Sequence, residues 1–177
     1  MEYLTVFHSD RKAVVNLTPF TTLNSMRVSR TSVKRSFTIT IPGEPIAQGR
    51  PRFSAHGKFV KAYDPKKSRE GKDAIKYFVG TKMDDEFLEP LTGALHMRVQ
   101  FGIMLPKSQE RKRTPVPRTW RTKKPDLDNL VKLVKDACSS IVYLDDNQIV
   151  KLTAEKIQCA QGEKPFTRIQ FVELEDL

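Results

Sequence analysis

In SFTITIP, Phe37, Ile39 and Ile41 alternate with threonines, and this period of two predicts a half-buried strand that ends at Pro42-Gly43. The following PIAQGRPRFSAHGKFVKAYDPKK mixes glycine, proline, basic and aromatic residues without a period, so it reads as a long loop or a ragged hairpin. Connections of that length usually carry function. Helical spacing takes over in SREGKDAIKYFVGTKM, with Ser68 as candidate N-cap and Ala74, Ile75 and Phe78 on one face. ALHMRVQFGIML alternates again, placing Leu95, Met97, Val99, Phe101 and Ile103 on one side of a strand. KSQERKRTPVPRTWRTKK is basic and broken by prolines, which predicts an irregular loop. Leu130, Leu133, Val134, Ala137, Cys138 and Ile141 then recur at helical spacing, and this helix is expected to end near Ser139-Ser140. After LDDNQ, the segments IVKLTAEKIQC and FTRIQFVEL read as two strands joined by the turn-like AQGEKP.

The resulting order, β-α-β-α-β-β, predicts an α+β (mixed α/β) fold: a single domain over residues 36–177 with one mixed sheet and two helices. A chain of 177 residues, 38% of them hydrophobic, can bury one real core but has no room for a second large domain. Residues 1–35 are rich in serine, threonine and basic residues, and their patches YLTVF and AVVNLT lack turn chemistry to join them. They are expected to form a disordered extension. Glu2 and Asp10 count against an organellar presequence, and Met26 is a second candidate start. No apolar run approaches the roughly 18 residues of a membrane span, and the N-terminus lacks the order of a secretory signal. A soluble, intracellular protein with no membrane partner is expected.

A formal net charge of +10 and a pI near 9.7 favour a polyanionic partner, either nucleic acid or an anionic membrane surface. Against that background KPDLDNLVKLVKDACSSIVYLDDNQIV, residues 124–150, gathers aspartates on both flanks of the second helix. Asp126 and Asp128 would lie about 200° apart on a helix but point to the same side of an extended segment. They therefore belong to the chain entering the helix, with Asp128 at its N-cap or first turn and Lys132 above it, four residues on. Asp145 and Asp146 follow the helix and rejoin the first pair only if the fold brings both flanks to one sheet edge. Ordinary structural roles fit each piece as well: capping acids at Asp126 and Asp128, a turn at Asp145-Asp146-Asn147, and a solvated helix pair between Lys132 and Asp128. If the acids do converge, their hard oxygens suit Mg²⁺ or Mn²⁺, and such an ion polarises a phosphoryl oxygen and acidifies a bound water, which is the chemistry of phosphodiester hydrolysis. Cys138 and Cys159 lie in apolar segments without a CxxC pair, so they read as core thiols rather than zinc ligands or a disulfide. His56 and His96 read as polar surface or edge residues, and Asp84, Asp85 and Glu86 as a surface acidic run.

The stretch KPDLDNLVK followed by YLDDNQIV closely resembles the signature of the RusA family of Holliday-junction resolvases, in which D-x-D-N-x-x-K precedes D-D by about a helix. IPGEPIAQGRPRF is similar to that family's N-terminal strand and basic loop, and the resemblance covers roughly residues 36 to 175. It implies a small homodimeric endonuclease, bacterial or phage-encoded (a prophage gene included) and cytoplasmic. Such a protein binds four-way DNA junctions and makes paired, symmetric, Mg²⁺-dependent nicks in recombination and repair. Asp126, Asp128 and Asp146 occupy the positions of the catalytic acids, Asp145 is a further metal-binding candidate, and Lys132 matches the family lysine. The implied role of Asn129 is to support the acids rather than to touch substrate. The N-terminal extension and the long basic insertion before Lys124 depart from the family pattern.

The basic loops complete the picture. Arg50 and Arg52, with Lys58 and Lys61, are expected to contact phosphates. In the second loop Arg118, Arg121, Lys123 and Lys124, together with Arg111, Lys112 and Arg113, interleave with Trp120, which suits a phosphate track with a base or sugar stacked on the indole. Two further functions fit the same sequence: a less structure-selective Mg²⁺ nuclease, and a non-catalytic basic nucleic-acid-binding protein whose aspartates only cap a helix.

Overall fold

A computed structural model of the chain describes residues 35–56, 59–86 and 88–175. The expectations for residues 1–34 and for Lys58 lie outside the described residues. For Lys61 the backbone is described and the side chain is not.

The strands are β1 (Ser36–Pro42), β2 (Arg52–His56), β3 (Phe59–Tyr63), β4 (Leu95–Ile103), β5 (Thr119–Trp120), β6 (Ile149–Gln158) and β7 (Phe166–Glu173). The helices are α1 (Lys66–Asp85) and α2 (Leu127–Cys138), and single 3₁₀ turns lie at Lys107–Gln109 and Asp146–Gln148. Five strands form one sheet in the order β1-β7-β4-β6-β5, and β2 pairs only with β3. Within the large sheet β4 and β6 run parallel and the other neighbours antiparallel, so the sheet is mixed, as the sequence predicts.

Register explains the core. Phe37 lies opposite Phe171, Ile39 opposite Ile169, and these meet Met97 and Val99 on the next strand, so one apolar face runs across β1, β7 and β4. Against it pack Ile75, Val79 and Met83 of α1 and Leu130, Leu133, Val134 and Ala137 of α2. This leaves a polar outer face of Thr38, Thr40, Arg98 and Arg168. A smaller cluster of Ile157, Cys159 and Phe166 closes one end of the sheet. It depends on Gly102, because a Cβ there would come within 2.5 Å of the Phe166 ring and 3.0 Å of Cys159 Sγ. Both cysteines are free and buried, and burial pushes the Cys138 thiol up to about 12.

Several details differ from the sequence reading. The ragged segment after β1 contains a true hairpin, β2–β3. Helix α1 begins at Lys66, so Ser68 lies inside its first turn, buried, with its hydroxyl accepting the Gly49 N–H at 2.8 Å. The buried stripe of α1 is Ser68, Gly71, Ile75, Val79 and Met83, while Ala74 is exposed and Phe78 is 37% exposed. Gly71 sets that stripe, since a Cβ there would sit 3.0 Å from Ile46. Ile141 falls beyond the end of α2, and Thr119-Trp120, inside the loop read as irregular, adds an edge strand to β6. His96, expected at the surface, is only 5% exposed, its Nε2 lying 3.0 Å from the Thr153 hydroxyl on the neighbouring strand.

That burial makes stability depend on pH. Burial first, and then the charges of Arg98 and Lys151, hold the His96 imidazole below its ordinary 6.5. The unfolded chain therefore takes up the proton first. The contribution of His96 is intact above the unfolded value and is lost as pH falls through the lower folded one. The urea midpoint should fall between about pH 7 and about pH 5, and His96→Gln should flatten this fall. An equally steep fall in the variant would assign it to other groups.

Candidate active site

The crossover from β4 to β6 carries the acidic motif. The Lys124–Pro125 peptide is cis, and Asp126 occupies the N-cap position of α2. Its side chain makes no capping hydrogen bond, although its backbone carbonyl accepts from Leu130. Asp128 lies in the exposed first turn, and neither it nor Asp126 has a side-chain hydrogen bond or ion pair among the described residues, so both stand at the positive end of the helix without closing a capping hydrogen bond. The same holds for the helix pair considered for Lys132 and Asp128: they form no ion pair among the described residues.

One side of α2 is buried by Leu130, Leu133 and Val134, and the other overhangs β6. Between them runs a cleft of about 670 Å³ whose polar lining is Asp128, Lys132, Lys135, Asp136 and Asp146, over a floor that includes Leu152 and Ala154. The two flanks of the motif thus reach one cleft, but spread along it. Asp128 stands in the first turn of α2, and Lys135 lies roughly 10 Å further along the axis. Asp146 meets that far end, its Oδ2 3.8 Å from Lys135 Nζ. Among the described residues no three histidine, cysteine or carboxylate side chains gather closely enough to enclose a metal ion. Asp145, by contrast, caps the short turn after α2, accepting the Asn147 N–H at 2.7 Å, while Gln148 Oε1 accepts from Leu144 and Asp145 in return.

Residues not singled out by sequence hold this arrangement together. The buried Tyr143 hydroxyl lies 2.8 Å from the Lys135 carbonyl and 3.0 Å from Asp146 Oδ1, with one proton between two acceptors. Burial, and then the Asp146 charge, push that phenol far above its ordinary range, so it remains a donor. Lys156 of β6 donates to the carbonyls of Lys123 and Pro125 and pins the turn that leads into Asp126. Lys72 of α1 bridges Asp136 Oδ2 at 2.8 Å and Asp64 Oδ2 at 3.0 Å, and Gln48 Nε2 donates to the other oxygen of Asp64 at 2.9 Å. The Gln48 N–H donates in turn to the Asn129 carbonyl at 2.9 Å, which ties the upstream basic loop to α2. Asn129 enters this network through its backbone. Lys135 and Asp136 extend the face of Asp128 and Lys132 by one more turn, a periodicity that would have revealed them. Lys156 and the Lys72–Asp136 contact act across long separations that leave no local signal, and Tyr143 reads simply as an apolar core residue until its hydroxyl is placed.

The basic residues divide in two. Arg50 and Arg52 are exposed at the start of the β2–β3 hairpin and have no partner among the described residues. Lys123 and Lys124 are also exposed. Arg118, in contrast, grips Glu163, with Nε donating to Oε2 at 2.9 Å and Nη2 to Oε1, and this pairing holds the Glu163 carboxyl below its usual range. Arg121 donates to Gln158 Oε1 at 3.0 Å and to the Lys124 carbonyl at 3.4 Å.

This chain belongs to the RusA endodeoxyribonuclease family. The family model described as "Endodeoxyribonuclease RusA" matches residues 42–170, which run from the last residue of β1 into β7 and include every residue lining the cleft. The chain is 33% identical over 140 residues to "Uncharacterized protein YqaN" of Bacillus subtilis (strain 168), covering 76% of this chain and 94% of that protein. It is also 41% identical over 56 residues to "Crossover junction endodeoxyribonuclease rusA" of Lactococcus phage r1t, covering 31% of this chain and 40% of that one. It is accordingly a nuclease by family, and among the described residues no helix is long and apolar enough to cross a membrane.

The Lys72 bridge is open to a direct test. Burial works against the ammonium, yet Asp136 and Asp64 outweigh it and raise Lys72 above 10.5, while the Lys72 and Gln48 hydrogen bonds hold Asp64 below 3.8. The stabilisation is therefore present from above the ordinary carboxylate value up to the ordinary lysine value, and is lost as pH falls through the lowered Asp64 value or rises through the raised Lys72 value. Lys72→Met should cost roughly 1–2 kcal/mol at neutral pH, discounted for solvent contact, and less at about pH 3, where the loss has begun. Urea denaturation at the two pH values measures both.

Proposed function

We propose that the protein is a Mg²⁺-dependent, structure-selective endonuclease that acts as a homodimer and resolves four-way DNA junctions by paired symmetric nicks. The observation that carries this reading is that Asp128, Lys132 and Asp146, from opposite ends of the acidic motif, face one cleft in a strongly basic chain. The phage relative's description as a crossover junction endodeoxyribonuclease supports the choice of substrate. In this reading the protein works on recombination and repair intermediates in the bacterial cytoplasm, encoded by a phage or prophage.

The donor set fits a hydrated Mg²⁺ better than an enclosed zinc or calcium site. Mg²⁺ usually takes one or two carboxylates and fills its remaining positions with water and substrate phosphate, so no all-protein cage is required. Asp128 and Asp146 are the motif carboxylates that line the cleft, towards its two ends, so a bound ion would take one of them directly and reach the other through water; Asp126 lies just outside the lining, and Mn²⁺ would substitute. Bound there, such an ion would supply Lewis acidity toward the scissile phosphate and a more acidic water. The chain's own groups do the rest. Lys132 and Lys135 offer positive charge to the phosphate as negative charge builds in the transition state. Tyr143 and Lys135 fix the orientation of Asp146, and Arg50 and Arg52 hold the backbone of an incoming strand. One cleft makes one nick. Two equivalent nicks call for two copies about a twofold axis.

A labelled four-way junction, a duplex and a single strand, each incubated with and without Mg²⁺, test the reading. Junction cleavage alone is expected; cleavage of all three would indicate a broad nuclease and of none a binding protein. Asp128→Asn or Asp146→Asn should abolish cleavage while junction binding is kept or tightened, because a carboxylate that repels phosphate is gone. Lys132→Ala should lower the single-turnover rate by at least about a hundredfold in a folded protein, and activity near wild type would remove it from the mechanism. A mixed dimer with one Asp128→Asn subunit should nick one strand without resolving the junction.

Changing Arg50 and Arg52 together to Ala should weaken binding to every DNA form and flatten its dependence on salt. An unchanged slope in a salt titration would leave them as solvated surface.

A further inference from the structure

A second cleft, of about 510 Å³, lies on the basic loop between β4 and α2. Its walls include Gln109, Arg111, Thr119, Trp120, Arg121 and Lys123. We infer that it holds one unpaired nucleotide, its base stacked on the Trp120 indole and its phosphate met by Arg111 and Lys123. This deepens the DNA-processing reading and rests on it for the class of ligand.

The first observation is the indole itself. Trp120 is 72% exposed, although burying so large an apolar ring would be favourable. Its backbone is also tied down. Trp120 pairs with Ile157 and Thr119 with Gln158, and the Arg121 N–H donates to the Lys156 carbonyl at 3.1 Å. Gln158 Nε2 donates to Gln109 Oε1 at 3.0 Å, and Gln161 exchanges hydrogen bonds with the Arg111 N–H and carbonyl at 2.9 and 3.0 Å. A ring carried on a stitched backbone can receive a ligand without the loop first having to be ordered.

Charge then selects the ligand. Arg111, Arg121 and Lys123 outnumber Glu110 in the lining, so the cleft suits an anion, and its volume falls within the range of small-ligand pockets. A flat ring beside cations matches a base and its phosphate. Bases inside a duplex are covered on both faces by their neighbours, whereas an unpaired base has a free face to give. The cleft therefore favours single-stranded over duplex DNA.

Trp120 is the only tryptophan in the chain, so its emission reports on this site alone. The intact protein, in EDTA to prevent cleavage, is titrated with a short oligothymidylate and with a blunt duplex, following intrinsic fluorescence and the anisotropy of labelled copies. Saturable quenching by oligothymidylate, stronger than by duplex, is expected. Trp120→Ala should weaken oligothymidylate binding by about five- to a hundredfold, the range of one base–aromatic stack, and Trp120→Phe should restore most of it. Emission that does not move while anisotropy saturates, equal quenching by duplex, or an unchanged affinity in Trp120→Ala would overturn the inference. Thermal unfolding of both variants shows that the fold is kept. Because no cleavage is measured, a protein that quenches as expected but leaves four-way junctions uncut would refute the resolvase reading and leave this site standing.

Discussion

Everything at the cleft depends on β4 and β6 lying side by side in the same direction. Parallel neighbours cannot be joined by a tight turn, so the chain must leave the end of β4, cross the sheet and return to the start of β6. Helix α2 makes that crossing. Its buried residues Leu130, Leu133, Val134 and Ala137 anchor it to the apolar face, and its opposite side, with Asp128, Lys132, Lys135 and Asp136, is left to form a wall. The same crossing delivers Asp146 immediately before β6, against the far end of that wall. An acidic motif spread over a helix and its two flanks thus becomes the lining of one cleft.

The cations in this chain do two kinds of work. Lys72, Lys156 and Arg118 act inside the fold, bridging Asp64 to Asp136, pinning the turn before α2 and clamping Glu163. Arg118 and Arg168 also lie over the Phe166 ring, at 5.9 and 5.4 Å from its centroid, so the basic loop is fastened to the small cluster that Gly102 leaves room for. Cations without such partners, Arg50 and Arg52 among them, are the ones free to meet a polyanion. Net charge alone would not separate these groups; the acceptor facing each side chain does.

Periodicity made four strands of the large sheet and both helices readable, because alternating and helical spacings are imposed locally by burial on one face; the two-residue edge strand β5 is too short to show any. Periodicity failed where the deciding contact is remote. Gly71 looks like an interruption of α1 until Ile46 is seen against it, and His96 looks like a strand-edge residue until Thr153 supplies its partner from a neighbouring strand. The β2–β3 hairpin carries no alternation because it stands apart from the main core. At the cleft, the spacing of Asp126, Asp128 and Lys132 identified the helix start, and the resemblance supplied Asp146. The separation of roles between Asp145, which caps a turn, and Asp146, which faces the cleft, could not be read from two adjacent aspartates. It follows from where Tyr143 and Gln148 sit.

The two thiols decide how the protein can be labelled. Cys138 and Cys159 are both shut inside the fold, and burial raises both, so neither supplies an appreciable thiolate at neutral pH. Thiolate is the form that alkylating reagents attack. The wild-type chain is therefore a nearly silent background for maleimide chemistry, and a cysteine introduced at any exposed position would be the one site to accept a dye or spin label while the protein stays folded.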